Sequence, residues 1–290
     1  MNALGERSLG VMLILASALV FALAGVLTKS VSADALTIAC WRGLIGGLLI
    51  GVYVLARNRR GDTRERLTIG WRGWILALVG GAASVAFISA FKFTYVANVT
   101  IIYATAPFAA ALLAWLLIGE SLRARTLAAA AVSLGGVAVM VGAGIGSGGA
   151  GDLAALVMTL LCALYIVLVR RYRDAPVVWA GAVSAFLLFG LGWVVTDPLQ
   201  ITAQDALLLL VFGGTFAAAV ILWTEGARLV PSAEAALLGL AELPAGIVLA
   251  WLLLEEVPPL ATFAGGAIVL TAVLWHAMRD RSQGRLHPAT

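Results

Sequence analysis

The chain has 290 residues, 62% hydrophobic and only 12% charged, with a formal net charge of +4. Soluble proteins carry roughly 25% charged residues, so this composition leaves too little polar surface to face water and excludes an ordinary soluble fold. The positive balance is no nucleic-acid signature, because the basic residues cluster in short segments beside apolar runs, where anionic lipid headgroups meet them.

A hydrocarbon core of about 30 Å takes about 20 apolar residues as helix. Ten such runs follow one another: 9–28, 35–55, 73–91, 96–118, 126–144, 153–169, 176–195, 205–224, 232–254 and 260–278. Lipid offers no partner for free backbone groups, so each is expected to be helical. The first run is too long, and has too many successors, for a cleavable signal. The gaps alternate in charge. Arg57, Arg59, Arg60, Arg64, Arg66 and Arg72 fill 56–72, and the next gap has only Lys92. Arg123 and Arg125, then Arg170, Arg171 and Arg173, then Arg228, then Arg279, Arg281 and Arg285 occupy every second gap. With Arg7, sixteen of the nineteen bases fall on one side. By the positive-inside rule that side, and both termini, are cytoplasmic. Lys29 and Lys92 stand at the outer face, and Arg42 lies within the second run.

A glycine-rich run at 142–151 divides the ten spans into five and five. Trp115-Leu116-Leu117 matches Trp251-Leu252-Leu253, Glu120 matches Glu256 and Thr126 matches Thr262, all 136 positions apart. Trp41-Arg42-Gly43 also resembles Trp179-Ala180-Gly181. Five spans per half is odd, so the second half is expected to sit inverted in the membrane. The expected fold is an all-α membrane protein of ten transmembrane helices, in two inverted five-helix repeats, 1–145 and 146–290. Inverted repeats are a recurrent plan of secondary transporters, with the substrate site between them near the midplane.

Each half carries a Pro, an apolar stretch and a Glu at the helix end: Pro107 to Gly119-Glu120, and Pro244 to Glu255-Glu256. These residues, Lys29, Arg42 and the five-plus-five plan resemble the EamA-type branch of the drug/metabolite transporter superfamily over nearly the whole chain. Within that branch the chain looks most like the bacterial YddG-type exporters of aromatic and other amino acids. The resemblance implies a multi-pass protein of the bacterial inner membrane that exports amino acids or similar small metabolites by alternating access. The second half departs from the pattern at Glu255, where the first has Gly119, and has no Arg matching Arg42.

Glu242 is the sharpest site candidate. An acid near the midplane costs about 2.5–3.5 kcal/mol on insertion scales, so it faces a polar cavity, finds a partner or is protonated. Arg42 offers a planar fork to a substrate carboxylate or to a protein acid, unless it snorkels outward. Together they suit a zwitterion. Pro107 and Pro244 break helix hydrogen bonds and are candidate hinges. Tyr103 lies one turn before Pro107. Trp41 and Tyr165, with Phe87, Phe91 and Trp223, can stack aromatic substrates or fill helix interfaces. Ser17 and Ser84, with Thr28, Thr100 and Ser184, reach either substrate or their own helix backbone. Gly43, Gly47 and Gly51 let helices approach closely, more in keeping with a monomer's interior than with a dimer seam.

Two His residues, with no HExxH, GxSxG or Cys/His cluster, argue against an enzyme and against a metal or cofactor. Cys40 and Cys162 lie inside apolar runs, which disfavours a disulfide. The expected partners are a small-molecule substrate and membrane lipids. A lipophilic-cation exporter driven by proton exchange is the rival: Glu242 as a lone acid suits it, and Arg42 in the same cavity opposes it.

Overall fold

The computed structural model describes residues 3–59, 68–122, 124–143, 149–172 and 174–284. The boundary at 145/146, Arg60, Arg64, Arg66, Arg123, Arg173, Arg285 and His287 lie outside those residues. The described residues form helices and no strand: α1 (Ala3–Ser30), α2 (Ala35–Arg59), α3 (Gly70–Phe93), α4 (Val96–Tyr103), α5 (Ala106–Ile118), α6 (Ala124–Ala143), α7 (Gly149–Arg171), α8 (Val177–Val195), α9 (Ala203–Leu229), α10 (Ser232–Gly239), α11 (Glu242–Leu254) and α12 (Leu260–Gly284). Part of the glycine-rich run at 142–151 is helix, since α6 continues to Ala143 and α7 starts at Gly149.

Among the described residues, seven helical segments are long and apolar enough to cross a membrane, with Val96–Ile118 taken as one. Three further apolar helices, Thr126–Met140, Glu242–Leu254 and Leu260–Val273, are shorter. Large apolar side chains such as Leu19, Leu78, Leu160, Leu210 and Trp251 project outward. Helices apolar on every side belong in a membrane.

The fourth and ninth apolar runs, expected as continuous spans, are each interrupted. Tyr103 ends α4 and Ala106 begins α5; Gly239 ends α10 and Glu242 begins α11. At each break the backbone tightens to i→i−3 bonds: Thr105 N–H donates to the Ile102 carbonyl (3.1 Å), and Ala241 N–H to that of Leu238 (3.1 Å). Pro107 and Pro244 follow within the first turn of the new helix, where a missing N–H removes little. Both helices after a break end on a left-handed residue, Gly119 (φ 69°) and Glu255 (φ 53°). Glu120 N–H then donates to Ala114 O, and Glu256 N–H to Ala250 O, both at 3.3 Å. The breaks, the tightened turns and the left-handed ends all recur 136 positions later; the prolines keep that spacing within one residue.

Glycines set the closest helix contacts. A Cβ on Gly43 would stand 2.8 Å from the Ala185 carbonyl oxygen, and one on Gly47 2.8 Å from the Ala185 Cβ. The small-residue stripe of α2 is therefore packed on α8 within the chain, while Gly51 has open space beside it. Asp34 starts α2, accepting from the N–H groups of Leu36 (2.9 Å) and Thr37 (3.0 Å) and from the Thr37 hydroxyl (2.5 Å). Burial opposes its charge, but these hydrogen bonds outweigh burial and hold the carboxyl below its usual range.

Candidate functional site

The second break places Glu242 at the first turn of α11, where the helix dipole favours a negative charge. Its neighbours come from α1, α3, α4 and α7. Together they line a cavity walled by Phe21, Phe87, Phe91, Tyr103 and Met158, with Thr100 and Gly246 at its side. Glu242 is the only ionisable carboxylate or base in that lining. The cavity measures about 20 Å³, room for about one water molecule. A larger solute enters only when the surrounding helices part. Phe87 and Phe91 meet edge-on at 4.7 Å between ring centroids.

Arg42 sits next door, not in the cavity lining. It is buried (7% exposed), and its guanidinium lies over Phe216 (4.1 Å), Phe212 (5.0 Å) and Phe87 (5.5 Å). One Nη donates to Ser84 Oγ at 2.9 Å, and Nε has no hydrogen-bond partner. A planar cation stacks well on aromatic faces. Phe87 belongs to both surroundings, and Phe21 of the cavity packs edge-on against Phe216, the ring beneath Arg42 (6.5 Å). A wall of phenylalanines thus separates the buried base from the half-buried acid.

The remaining candidates are spread out. Tyr103 joins Glu242 in the cavity, and Ser84 joins Arg42. Trp41 donates from its indole to the Pro198 carbonyl (2.8 Å) and packs on Phe189. Ser17 donates to the Ala219 carbonyl (2.8 Å), tying α1 to α9. Tyr165 stacks its ring near Gly80 in the α3–α7–α8 packing. None of these three lines the cavity. Thr28 and Thr100 bond the carbonyls of Ala24 and Val96 in their own helices. Phe21 and Met158 are cavity residues that sequence reasoning missed. In helices apolar all round, nothing in their spacing marks the face they present.

A second polar cluster surrounds the N-terminus of α4. Val96 N–H donates to Glu256 Oε1 (2.7 Å), and Lys29 Nζ lies 3.3 Å from Glu256 Oε2. Asp152 Oδ1 accepts from Thr94 Oγ1 (2.7 Å) and Asn98 Nδ2 (3.1 Å), and Thr262 donates to Asn98 Oδ1 (2.6 Å). Elsewhere, Arg57 and Tyr53 both contact Glu225, joining α2 to α9.

Comparison with known proteins agrees with this architecture. The model of the EamA-like transporter family matches the chain twice, over residues 8–142 and 149–278. A crystal structure of a protein 21% identical to this chain superposes with a TM-score of 0.62, covering 92% of this chain and 96% of that one. At that identity the likeness speaks for the fold. No curated protein matches the chain.

Proposed function

We propose that this chain, which belongs to the EamA-like transporter family, is a secondary transporter that exports amino acids or similar small amine-bearing metabolites across the bacterial inner membrane by alternating access. Membership makes it a multi-pass membrane transporter rather than an enzyme. The observation that carries the substrate reading is Glu242: a lone carboxylate at a helix break, in a cavity walled by four aromatic rings. A substrate ammonium satisfies the carboxylate and gains from the ring faces, while the substrate's apolar part meets Phe21 and Met158. Arg42, short of hydrogen-bond partners across the Phe87 wall, is the group we assign to the substrate carboxylate.

The ten-span plan, the cytoplasmic termini and the inverted halves belong to the same reading. Two family matches and the recurrence of the broken helices after 136 residues support it. Discontinuous helices at a repeat interface are where secondary transporters hold their cargo. The chain acts as a monomer among lipids and needs no cofactor.

One observation favours a second reading, a lipophilic-cation exporter driven by proton exchange: Arg42 is outside the cavity lining, so nothing there repels a cation. Competition separates the two. In proteoliposomes loaded with a radiolabelled aromatic amino acid, excess unlabelled amino acids should suppress flux and tetraphenylphosphonium should not. Suppression by the cation alone transfers the assignment to the second reading, and flux of neither overturns both.

A further inference from the structure

The two ends of the broken helices are not equally shut. We infer that residues 94–98, at the N-terminus of α4, form the outer gate of the transporter, latched by Glu256, Asp152 and Thr262. The pair Glu120–Arg170 is then its counterpart on the opposite face, tightening when the outer gate opens. The inference rests on the transporter reading above but not on its substrate.

The correspondence is positional. Glu120 and Glu256 are 136 residues apart, each following the left-handed residue that ends a broken helix. Lys29 and Arg170 are 141 apart. So are Gly10 and Gly151, which pack closely on Leu229–Val230 and on Phe93–Thr94, the turns leading into α10 and α4. In each pair, a base at the end of the first helix of one half meets the acid that follows the broken helix of the other half. Both pairs measure 3.3 Å.

Their settings differ. The Lys29 and Glu256 side chains are 24% and 9% exposed, whereas those of Arg170 and Glu120 are 58% and 48% exposed. Ion pairs as open as the latter contribute little. Glu256 also caps the first N–H of α4, and Asp152, fully buried, grips Thr94 and Asn98. Packing shows the same asymmetry. α4 is packed against α11, α6 and α12, while among the described residues no comparable packing joins α10 to α5, α6 or α12. The face with Glu256 is closed, and the face with Glu120 is the looser one. Asp152 Oδ2 has no hydrogen-bond partner, so one acceptor of the latch is buried unsatisfied. A buried acceptor left unsatisfied carries a desolvation cost that opening to water relieves.

The test reads access, not transport. Gly246 lines the cavity, and a Cβ there meets only Ala22 O and Thr100 Oγ1, at 3.8 and 3.9 Å, so Gly246→Cys provides a reporter. Full-length protein in sealed right-side-out and inside-out vesicles is treated with a membrane-impermeant maleimide. Mass spectrometry distinguishes this site from Cys40 and Cys162. The reporter should label faster from the cytoplasmic side. Adding Glu256→Gln, or independently Asp152→Asn, should raise labelling from the outer side by roughly tenfold, the scale of one buried charge-assisted contact. Glu120→Gln should not raise it. Outer labelling unchanged in both latch variants, or faster outer than cytoplasmic labelling in the parent, overturns the inference. Both latch substitutions keep side-chain size, and either one suffices for the test. Because no substrate is involved, a failed flux assay leaves this result standing, and the converse holds.

Discussion

At the first break the new helix opens on Ala106, Pro107 and Phe108; at the second it opens on Glu242, Leu243 and Pro244. Helix lengths, tightened turns and left-handed ends correspond after 136 residues, so the backbone plan is held in common. The chemistry is not. The acid stands at only one break, where α1, α3 and α4 bring aromatic rings around it and α7 brings Met158, and the aligned Ala106 is buried. A shared plan therefore supplies two helix starts, and only the second carries a carboxylate at its first residue.

The most severe way to break this comparison is to make the breaks alike. Ala106→Glu places a carboxylate at the aligned position. If the first break lacks a polar cavity, the cost is about 2.5–3.5 kcal/mol, seen as a lower thermal midpoint and reduced yield in detergent. An unchanged midpoint and yield would show that both breaks are equally polar and that Glu242 is not special. The reciprocal change is next. Glu242→Gln should leave the midpoint near the parent's and lower amine flux by roughly a hundredfold, the loss of a charge-assisted contact of about 2–3 kcal/mol. Flux at parental rates removes Glu242 from recognition.

Arg42 sharpens the contrast between acid and base. Its charge has one side-chain partner, Ser84, and three rings. Replacing a buried charge with an apolar side chain of similar length is often neutral or stabilising. Arg42→Met should therefore keep the thermal midpoint within a few degrees while lowering amino acid flux by about tenfold. Flux of amines without a carboxylate should be unchanged. A large fall in the midpoint with selectivity intact would make Arg42 a structural residue.

How far these features are readable from the residues follows from what lipid demands. Apolar runs must be helical, so the segments that form α1 to α12 are legible, as is the 136-residue recurrence of Trp115 and Glu120. Glu242 stands out because a membrane acid is costly. The breaks are less legible. Ala104, Thr105, Leu240 and Ala241 carry no Gly or Pro, and the prolines come two or three residues later. Facing is least legible. Phe21 and Met158 look like Trp41 and Tyr165 on helices apolar all round, and only packing sends the first two to the cavity. Asp152 stands at the start of an apolar run, where nothing in the sequence marks it as enclosed, yet it is fully buried on Thr94 and Asn98.

The mildest test concerns the one place where the common plan is kept against the residue. Gly119 and Glu255 both adopt positive φ to end α5 and α11. Glycine does so without steric cost, whereas a side chain there costs about 1 kcal/mol or more. Glu255 accepts that strain because Glu256 must turn back to Val96 and Lys29. Glu255→Gly should then stabilise the protein by about 1 kcal/mol, and Gly119→Ala should destabilise it by a similar amount, both read from thermal midpoints. Opposite signs at aligned positions follow only if both helices end by the same left-handed turn. If Glu255→Gly also slows outer labelling of the cavity cysteine, the strain at Glu255 is part of what keeps the latch on α4 releasable.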